Sequence, residues 1–184
     1  MHHDIASILV EKDRIAQRVH ELGHRIASDL YREGVTLDGE QRVIIIPVLT
    51  GSMVFVADLI RELPFKLRME VVAVSSYPGK SMESKGVRLK GDLPGDLTGA
   101  HVILVDDIFD SGQTLDVLAR LIRDQRPASL RSCVLLRKPG KAKVTFVPDY
   151  VGFDIPDEFV VGYGLDYDGF YRNFPAVAVL KDVG

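Results

Sequence analysis

Cysteine is almost missing from these 184 residues: Cys133 stands alone, which excludes an intrachain disulfide framework and a multi-cysteine zinc site. Its place in the apolar run Ser132-Cys133-Val134-Leu135-Leu136 reads as a small buried side chain in a strand. An excess of positive charge is missing too. The formal net charge is −3 and the pI about 5.9, which argues against bulk attachment to nucleic acid or an anionic membrane. No apolar run approaches membrane-spanning length, the longest being of the kind Val43 to Leu49. Met1-His2-His3-Asp4 has no basic stretch leading into an apolar one, so no signal peptide is expected and a cytoplasmic protein is. What remains, 46% hydrophobic and 27% charged, suffices for one domain over 1–184 with a substantial core.

The pattern along the chain alternates. Ile8, Ile15, Val19, Leu22, Ile26 and Leu30 fall at spacings of 7, 4, 3, 4 and 4, which predicts a helix over 5–33 closed by Gly34. Val43-Ile44-Ile45-Ile46-Pro47-Val48 is apolar on both faces, as central parallel strands are. Thr50-Gly51-Ser52 then leads into a helical pattern through Phe55, Leu59 and Leu63. A strand at Val71 to Ser75 precedes a polar, Gly- and Lys-rich segment, 78–99. A loop this long in a compact domain is usually functional or disordered. His101 to Val105 is another buried strand, and a helix after Gly112 runs toward Pro127. Short strands are expected at 132–136, about 144–147, 150–153 and 159–163. This is an α/β fold with a mostly parallel sheet.

Two short motifs carry little. His20-Glu21-Leu22-Gly23-His24 matches H-E-x-x-H, but the extended pattern wants His where Leu30 stands, and the bland reading is two solvent-side histidines flanking a core leucine. Gly79-Lys80-Ser81 resembles the end of a P-loop, yet Val74 occupies the position of its first glycine.

A third motif is chemically explicit. Val102 to Val105 is a strand, Asp106 and Asp107 end it, and Asp110-Ser111-Gly112-Gln113-Thr114 turns into a helix. Backbone N–H groups at such a helix N-terminus favour a phosphate, and the Ser111 and Thr114 hydroxyls add donors. Asp106 and Asp107 would repel the phosphate itself, but they suit ribose hydroxyls and Mg²⁺ beside it. Helix capping explains one aspartate, not three around one turn.

This stretch resembles the 5-phosphoribosyl-1-pyrophosphate signature of type I phosphoribosyltransferases, and further blocks resemble the hypoxanthine-guanine branch over nearly the whole chain. Val48-Leu49-Thr50-Gly51-Ser52 is similar to the pyrophosphate loop, whose counterpart of the Leu49–Thr50 bond is a cis peptide; Ser75-Ser76-Tyr77 resembles the start of a mobile catalytic loop. Leu135-Leu136-Arg137-Lys138-Pro139 and the block from Tyr150 to Tyr167 resemble the purine site. The implied fold is a parallel sheet flanked by helices, with a small hood from the N- and C-terminal segments.

The implied reaction joins hypoxanthine or guanine N9 to C1′ of phosphoribosyl pyrophosphate, giving IMP or GMP. In this resemblance Asp110 is the general base, residues 110–114 cradle the 5′-phosphate, and Asp106 and Asp107 hold ribose hydroxyls and Mg²⁺. Thr50, Gly51, Ser76, Tyr77 and Arg172 fall on the pyrophosphate side. Lys138 donates to the purine 6-oxo group, Tyr150 stacks on the base, the Val151 backbone reads its edge, and Asp157 is a second Mg²⁺ position. Thr50 stands where many members have Lys or Arg. Substrates are small molecules, with neither nucleic acid nor membrane as partner, and a homodimer or homotetramer is implied. Two alternatives stay open: an RNA-binding regulator on the same fold, which would want a basic surface and no purine pocket, and a xanthine-guanine enzyme, usually shorter.

The composition of the segment from Ser76 to about Gly99 suits a lid that shields an oxocarbenium-like transition state from water. Trypsin should cut at Lys80, Lys85, Arg88 or Lys90 in the free protein and more slowly with nucleotide, or with purine analogue, pyrophosphate and Mg²⁺. Equal cleavage rates would sink the lid.

Overall fold

The structure is a computed structural model and describes residues 2–76, 87–89 and 95–181. Strand β1 is Ile5–Val10, helix α1 Lys12–Arg32, strand β2 Val43–Leu49 and helix α2 Met53–Leu59, extended by a 3-10 turn to Glu62. Strands β3 (Leu67–Met69), β4 (Val72–Ser76), β5 (Val87–Leu89) and β6 (His101–Phe109) follow. Then come helix α3 (Gln113–Asp124) and strands β7 (Ser129–Arg137), β8 (Tyr150–Asp154), β9 (Val160–Val161) and β10 (Val177–Leu180).

The main sheet runs β5-β4-β2-β6-β7-β8, with β3 also on β2; every pairing is parallel except β4 with β5. Period-two alternation explains why its centre is apolar on both faces. Ile45, Ile103 and Val105 face α1 and α2, packing with Leu22, Ile26 and Phe55. Ile44, Ile46, Val102 and Leu104 face α3 and meet Leu115, Leu118 and Ile122. Cys133 is fully buried, and burial pushes its thiol pKa up, so it is an inert core side chain. The topology also locates the cleft. From β2 the chain moves to β4 on one side, and from β6 to β7 on the other. The carboxyl ends of β2 and β6 therefore flank a switch point, where α/β sheets bind ligands.

A second sheet, β1-β10-β9, is antiparallel and is the expected hood. It corrects the helix predicted over 5–33. Residues 5–10 instead pair with β10, and Ile8, the outlier in the helical spacing, is 43% exposed. From Ile15 to Leu30 the predicted helix face is the buried one, and Gly34 ends the turn at φ +87°. Val144 and Phe146 form no strand. They pack against the α3-side core, where the Phe146 ring lies 6.3 Å from that of Phe109. Within the polar segment after β4, Val87–Leu89 pairs with β4, and Leu97 and Ala100 are buried in the same core. Tyr77 and most of the proposed lid lie outside the described residues.

At the amino ends of the strands the sheet is tied to α1. The Tyr150 hydroxyl donates to Asp29 Oδ2 at 2.6 Å, and Arg131 pairs with Glu33 at 2.5 Å. His101 Nδ1 lies 3.1 Å from the same Glu33 and 2.9 Å from the Ser129 hydroxyl. The Tyr150 hydrogen bond holds the Asp29 carboxyl below its usual pKa. Such a group adds stability above the unfolded-state pKa and loses it as pH falls through the lower folded value. Tyr150→Phe should therefore cost about 1–2 kcal/mol at pH 7, a difference that shrinks below about pH 4. Urea denaturation at both pH values checks this; a pH-independent loss would mean that the hydrogen bond is not its source.

Candidate active site

The carboxyl ends of β2 and β6 and one turn of the hood enclose an open cleft of about 330 Å³, within the range of small-ligand sites. Its first wall is the loop after β2. The Leu49–Thr50 peptide is cis, and Thr50 and Gly51 line the cleft. Ser52, fully buried, turns its hydroxyl back to donate to Val48 O at 2.6 Å, which closes the loop onto its own strand before α2 begins. A Cβ on residue 51 would stand 1.7 Å from Asp107 Oδ2, so any larger residue there would displace that carboxylate.

The second wall is the end of β6. Asp106 Oδ1 accepts from the Asp107 amide at 2.9 Å, and Asp107 Oδ1 accepts from the Ile108 amide at 2.8 Å. Asp106 is 7% exposed. Burial and the adjacent charge of Asp107 push its pKa well up; burial raises Asp107 as well, against the opposing charge of Arg172. Two neighbouring carboxylates out of water lack positive charge. The cleft therefore favours a cation or hydroxyl donors beside them.

The third wall is the turn into α3, with Asp110, Ser111, Gly112 and Thr114 on the cleft. Gly112 sits at φ +77°, where a Cβ would strike Phe109 Cζ at 2.6 Å and Val144 Cγ2 at 2.7 Å. No side chain caps the N-terminus of α3, which leaves its backbone donors to a ligand. The segment after β7 braces this turn from behind. The Lys138 amide donates to Phe109 O at 3.0 Å and the Lys143 amide to Ser111 O at 2.9 Å. Gln113 opens α3 beside the cleft without lining it.

The hood supplies the last wall, Asp166 and Arg172. Arg172 Nη2 pairs with Asp166 Oδ1 at 2.6 Å, and its Nη1 donates to Gly164 O at 2.6 Å. The structure thus gathers Thr50, Gly51, Asp106, Asp107, Asp110, Ser111, Gly112, Thr114 and Arg172 around one space. Ser76 ends β4, whose Val74 also reaches the cleft. Lys138 follows β7 with its side chain 11% exposed.

Three sequence expectations are not met at this cleft. Tyr150 is 1% exposed, its hydroxyl is committed to Asp29 and the Arg25 guanidinium lies 5.5 Å over its ring, so no face remains for a base. The Val151 carbonyl accepts from Arg18 Nη2 at 3.0 Å, on the edge of the sheet covered by α1. Asp157 belongs to two lysines, Lys141 Nζ at 2.5 Å and Lys138 Nζ at 3.5 Å, and Lys141 chiefly holds its pKa below the usual range. Asp166 is the carboxylate missed; its signal was Gly162-Tyr163-Gly164, a turn that aims the next polar residue. The H-E-x-x-H pair lies outside the cleft. His20 meets Glu62 at 2.7 Å and His24 packs edge-on against His20. Among the described residues no three His, Cys, Asp or Glu side chains form a metal cage, and no helix is long and apolar enough to cross a membrane.

Comparison with known proteins gives this cleft its family. Residues 13–168 match the phosphoribosyl transferase domain. The hypoxanthine-guanine phosphoribosyltransferase of Mycobacterium bovis is 45% identical over 177 residues, covering 96% of this chain and 87% of that protein. The Bacillus subtilis enzyme of the same name is 39% identical over 98% of this chain and 96% of that one. The Trypanosoma cruzi hypoxanthine phosphoribosyltransferase in complex with the product IMP superposes with a TM-score of 0.89 at 39% identity, covering 99% of this chain and 97% of that one. Matched by such relatives over nearly its whole length in both sequence and fold, the chain belongs to the hypoxanthine-guanine phosphoribosyltransferases of the type I phosphoribosyltransferase family.

Proposed function

We propose that this chain joins N9 of hypoxanthine or guanine to C1′ of phosphoribosyl pyrophosphate, releasing pyrophosphate in purine salvage. The observation that carries this reading is the convergence, around one cleft, of a phosphate turn, a buried acidic pair and an arginine-bearing hood. The turn at 110–114 takes the 5′-phosphate, and Thr50, Gly51 and Arg172 face the pyrophosphate. Asp106 and Asp107 take the ribose hydroxyls. Asp110 is exposed at the mouth of the turn, placed to receive the purine proton as the glycosidic bond forms. Lys138 can only donate, so it selects a base with an acceptor oxygen at C6.

The donor set fits Mg²⁺. Hard carboxylate oxygens stand beside a phosphate turn, and Mg²⁺ binds through one or two carboxylates plus substrate oxygens, with no all-protein cage needed. Asp106, Asp107 and, across the cleft, Asp166 are the residues that would hold it. Bound there, it would neutralise the developing charge of the leaving pyrophosphate. Assembly as a homodimer or homotetramer in the cytoplasm belongs to the same proposal.

The base needs an aromatic face, and burial narrows the choice. Tyr150 and Tyr163 are buried, whereas Phe159 is 47% exposed and packs its edge on Tyr167, next to Asp166. Phe159 is our base-stacking residue. Phe159→Ala should raise the KM for hypoxanthine or guanine by roughly 5- to 100-fold, since stacking is worth about 1–3 kcal/mol, and leave that for phosphoribosyl pyrophosphate nearly unchanged. Equal losses for both substrates would reassign it to the fold.

Asp110→Asn tests the chemistry. With a general base removed, kcat should fall by about 10²–10⁴ while phosphoribosyl pyrophosphate affinity changes little. Full turnover in a panel of labelled bases would remove Asp110 from that role.

A further inference from the structure

The hood turn that carries Asp166 has three successive residues at positive φ: Gly162 at +94°, Tyr163 at +50° and Gly164 at +104°. Glycine adopts such angles freely; tyrosine does not, and one held there needs its surroundings to fix it. Here they do. Tyr163 is 8% exposed, and its hydroxyl donates to Asp58 Oδ2 at 2.6 Å. Asp58 is on α2, the helix that starts directly after the Thr50-Gly51-Ser52 loop, and its other oxygen meets Arg61 Nη1 at 3.6 Å. Burial and the Asp58 hydrogen bond push the Tyr163 hydroxyl pKa far up, so it stays a donor throughout the physiological range.

This bond closes a mechanical circuit. Gly164 lies so close to the β2 loop that a Cβ on it would stand 2.2 Å from Gly51 O. The same turn is gripped from the hood: the Tyr163 amide donates to Phe174 O at 2.7 Å, the Gly164 amide donates to Arg172 O at 3.0 Å, and Arg172 Nη1 returns to Gly164 O. Arg172 also holds Asp166. Hood and pyrophosphate loop thus touch through backbone, with one side-chain bond joining the turn to α2.

We propose that Tyr163 is a positioning residue: its bond to Asp58 seats the 162–164 turn on the β2 loop and so fixes where Asp166 and Arg172 stand over the pyrophosphate side of the cleft. It touches no substrate. Its effect is therefore selective, falling on the pyrophosphate-bearing substrate and not on the base. The inference rests on the assignment of Thr50, Gly51 and Asp166 to that side.

Steady-state kinetics on the full-length enzyme with Mg²⁺ test it. Tyr163→Phe should raise the KM for phosphoribosyl pyrophosphate, and for pyrophosphate in the reverse direction, by about three- to tenfold, a part of what a half-buried charge-assisted hydrogen bond can be worth. The KM for the base should stay within about twofold, since removing one hydroxyl leaves the packing of Phe159 on Tyr167 in place. Asp58→Leu reads the same bond from the other partner, so the test survives if one variant does not fold. Asp58→Asn keeps an acceptor oxygen and should restore most of the affinity. The Tyr163→Phe/Asp58→Leu double variant should be no worse than the poorer single one. A fall in Tm with an unchanged ratio of the two KM values overturns the proposal. Asp166→Asn separates the two levels: if it alone raises the KM for phosphoribosyl pyrophosphate, the positioning role is wrong and the site assignment stands; if neither variant moves it, both fall.

Discussion

Everything in this cleft is arranged around Asp107 lying against Gly51. The carboxylate sits where a side chain on residue 51 would have to be, 1.7 Å from the missing Cβ. The parallel ladder of β2 and β6, running to Pro47 opposite Val105, sets up that contact and places two buried acidic groups at the switch point of the sheet. Buried like charges are costly unless compensated. Among the described residues, Arg172 is the cation whose charge opposes burial in setting the Asp107 pKa. The remaining compensation is left to what binds, which makes acidic destabilisation of the empty cleft and recognition of a hydroxyl- and cation-bearing substrate two sides of one arrangement.

This requirement gives the hood its purpose. Arg172 cannot come from the main sheet, whose cleft-side loops are already committed to the phosphate turn and the β2 loop. It comes from a small antiparallel sheet built from β1, β9 and β10, in which the two ends of the chain meet. The β1–β10 pairing, with Ile5 opposite Leu180, has the longest sequence separation among the described strand pairs, so the sheet whose β9–β10 loop carries the cation is closed by the contact with the largest loop-closure cost. The 162–164 turn, pressed against Gly51, converts that distant pairing into a fixed position over the carboxylates.

Legibility in the sequence followed range. The strand, acidic pair and phosphate turn from Val102 to Thr114 are contiguous, and each residue type announces its chemistry locally. So does the helix from Ile15 to Leu30. Strand β1 does not, because Ile5–Val10 becomes a strand only through β10, and no local pattern records a partner so far along the chain. The purine block failed for a different reason. Tyr150-Val151-Gly152 ends in Asp157 seven residues after its aromatic, and Phe159-Val160-Val161-Gly162 ends in Asp166 at the same offset. The two share an aromatic, a valine directly after it and an aspartate seven residues on. Only burial separates them: Tyr150 is closed in on Asp29, whereas Phe159 is open.

The different fates of the two aromatics have a physical basis in the two ends of the sheet. At the amino ends of β6, β7 and β8 the ionic groups are paired with one another: Arg131 and His101 with Glu33, Tyr150 with Asp29, Asp149 with Ser132 at 2.7 Å. They anchor α1, with Arg131 Nη1 the one buried side-chain nitrogen or oxygen left without a hydrogen-bond partner among the described residues. At the carboxyl ends Asp106 and Asp107 accept only backbone amides, and Asp166, held by Arg172, faces the same space. Tyr150 begins β8 and so falls at the tied end, while Phe159 lies beyond β8 and falls at the open one. On the proposed assignment, which aromatic serves structure and which serves the base is decided by strand polarity, a property of the fold that an isolated motif does not carry.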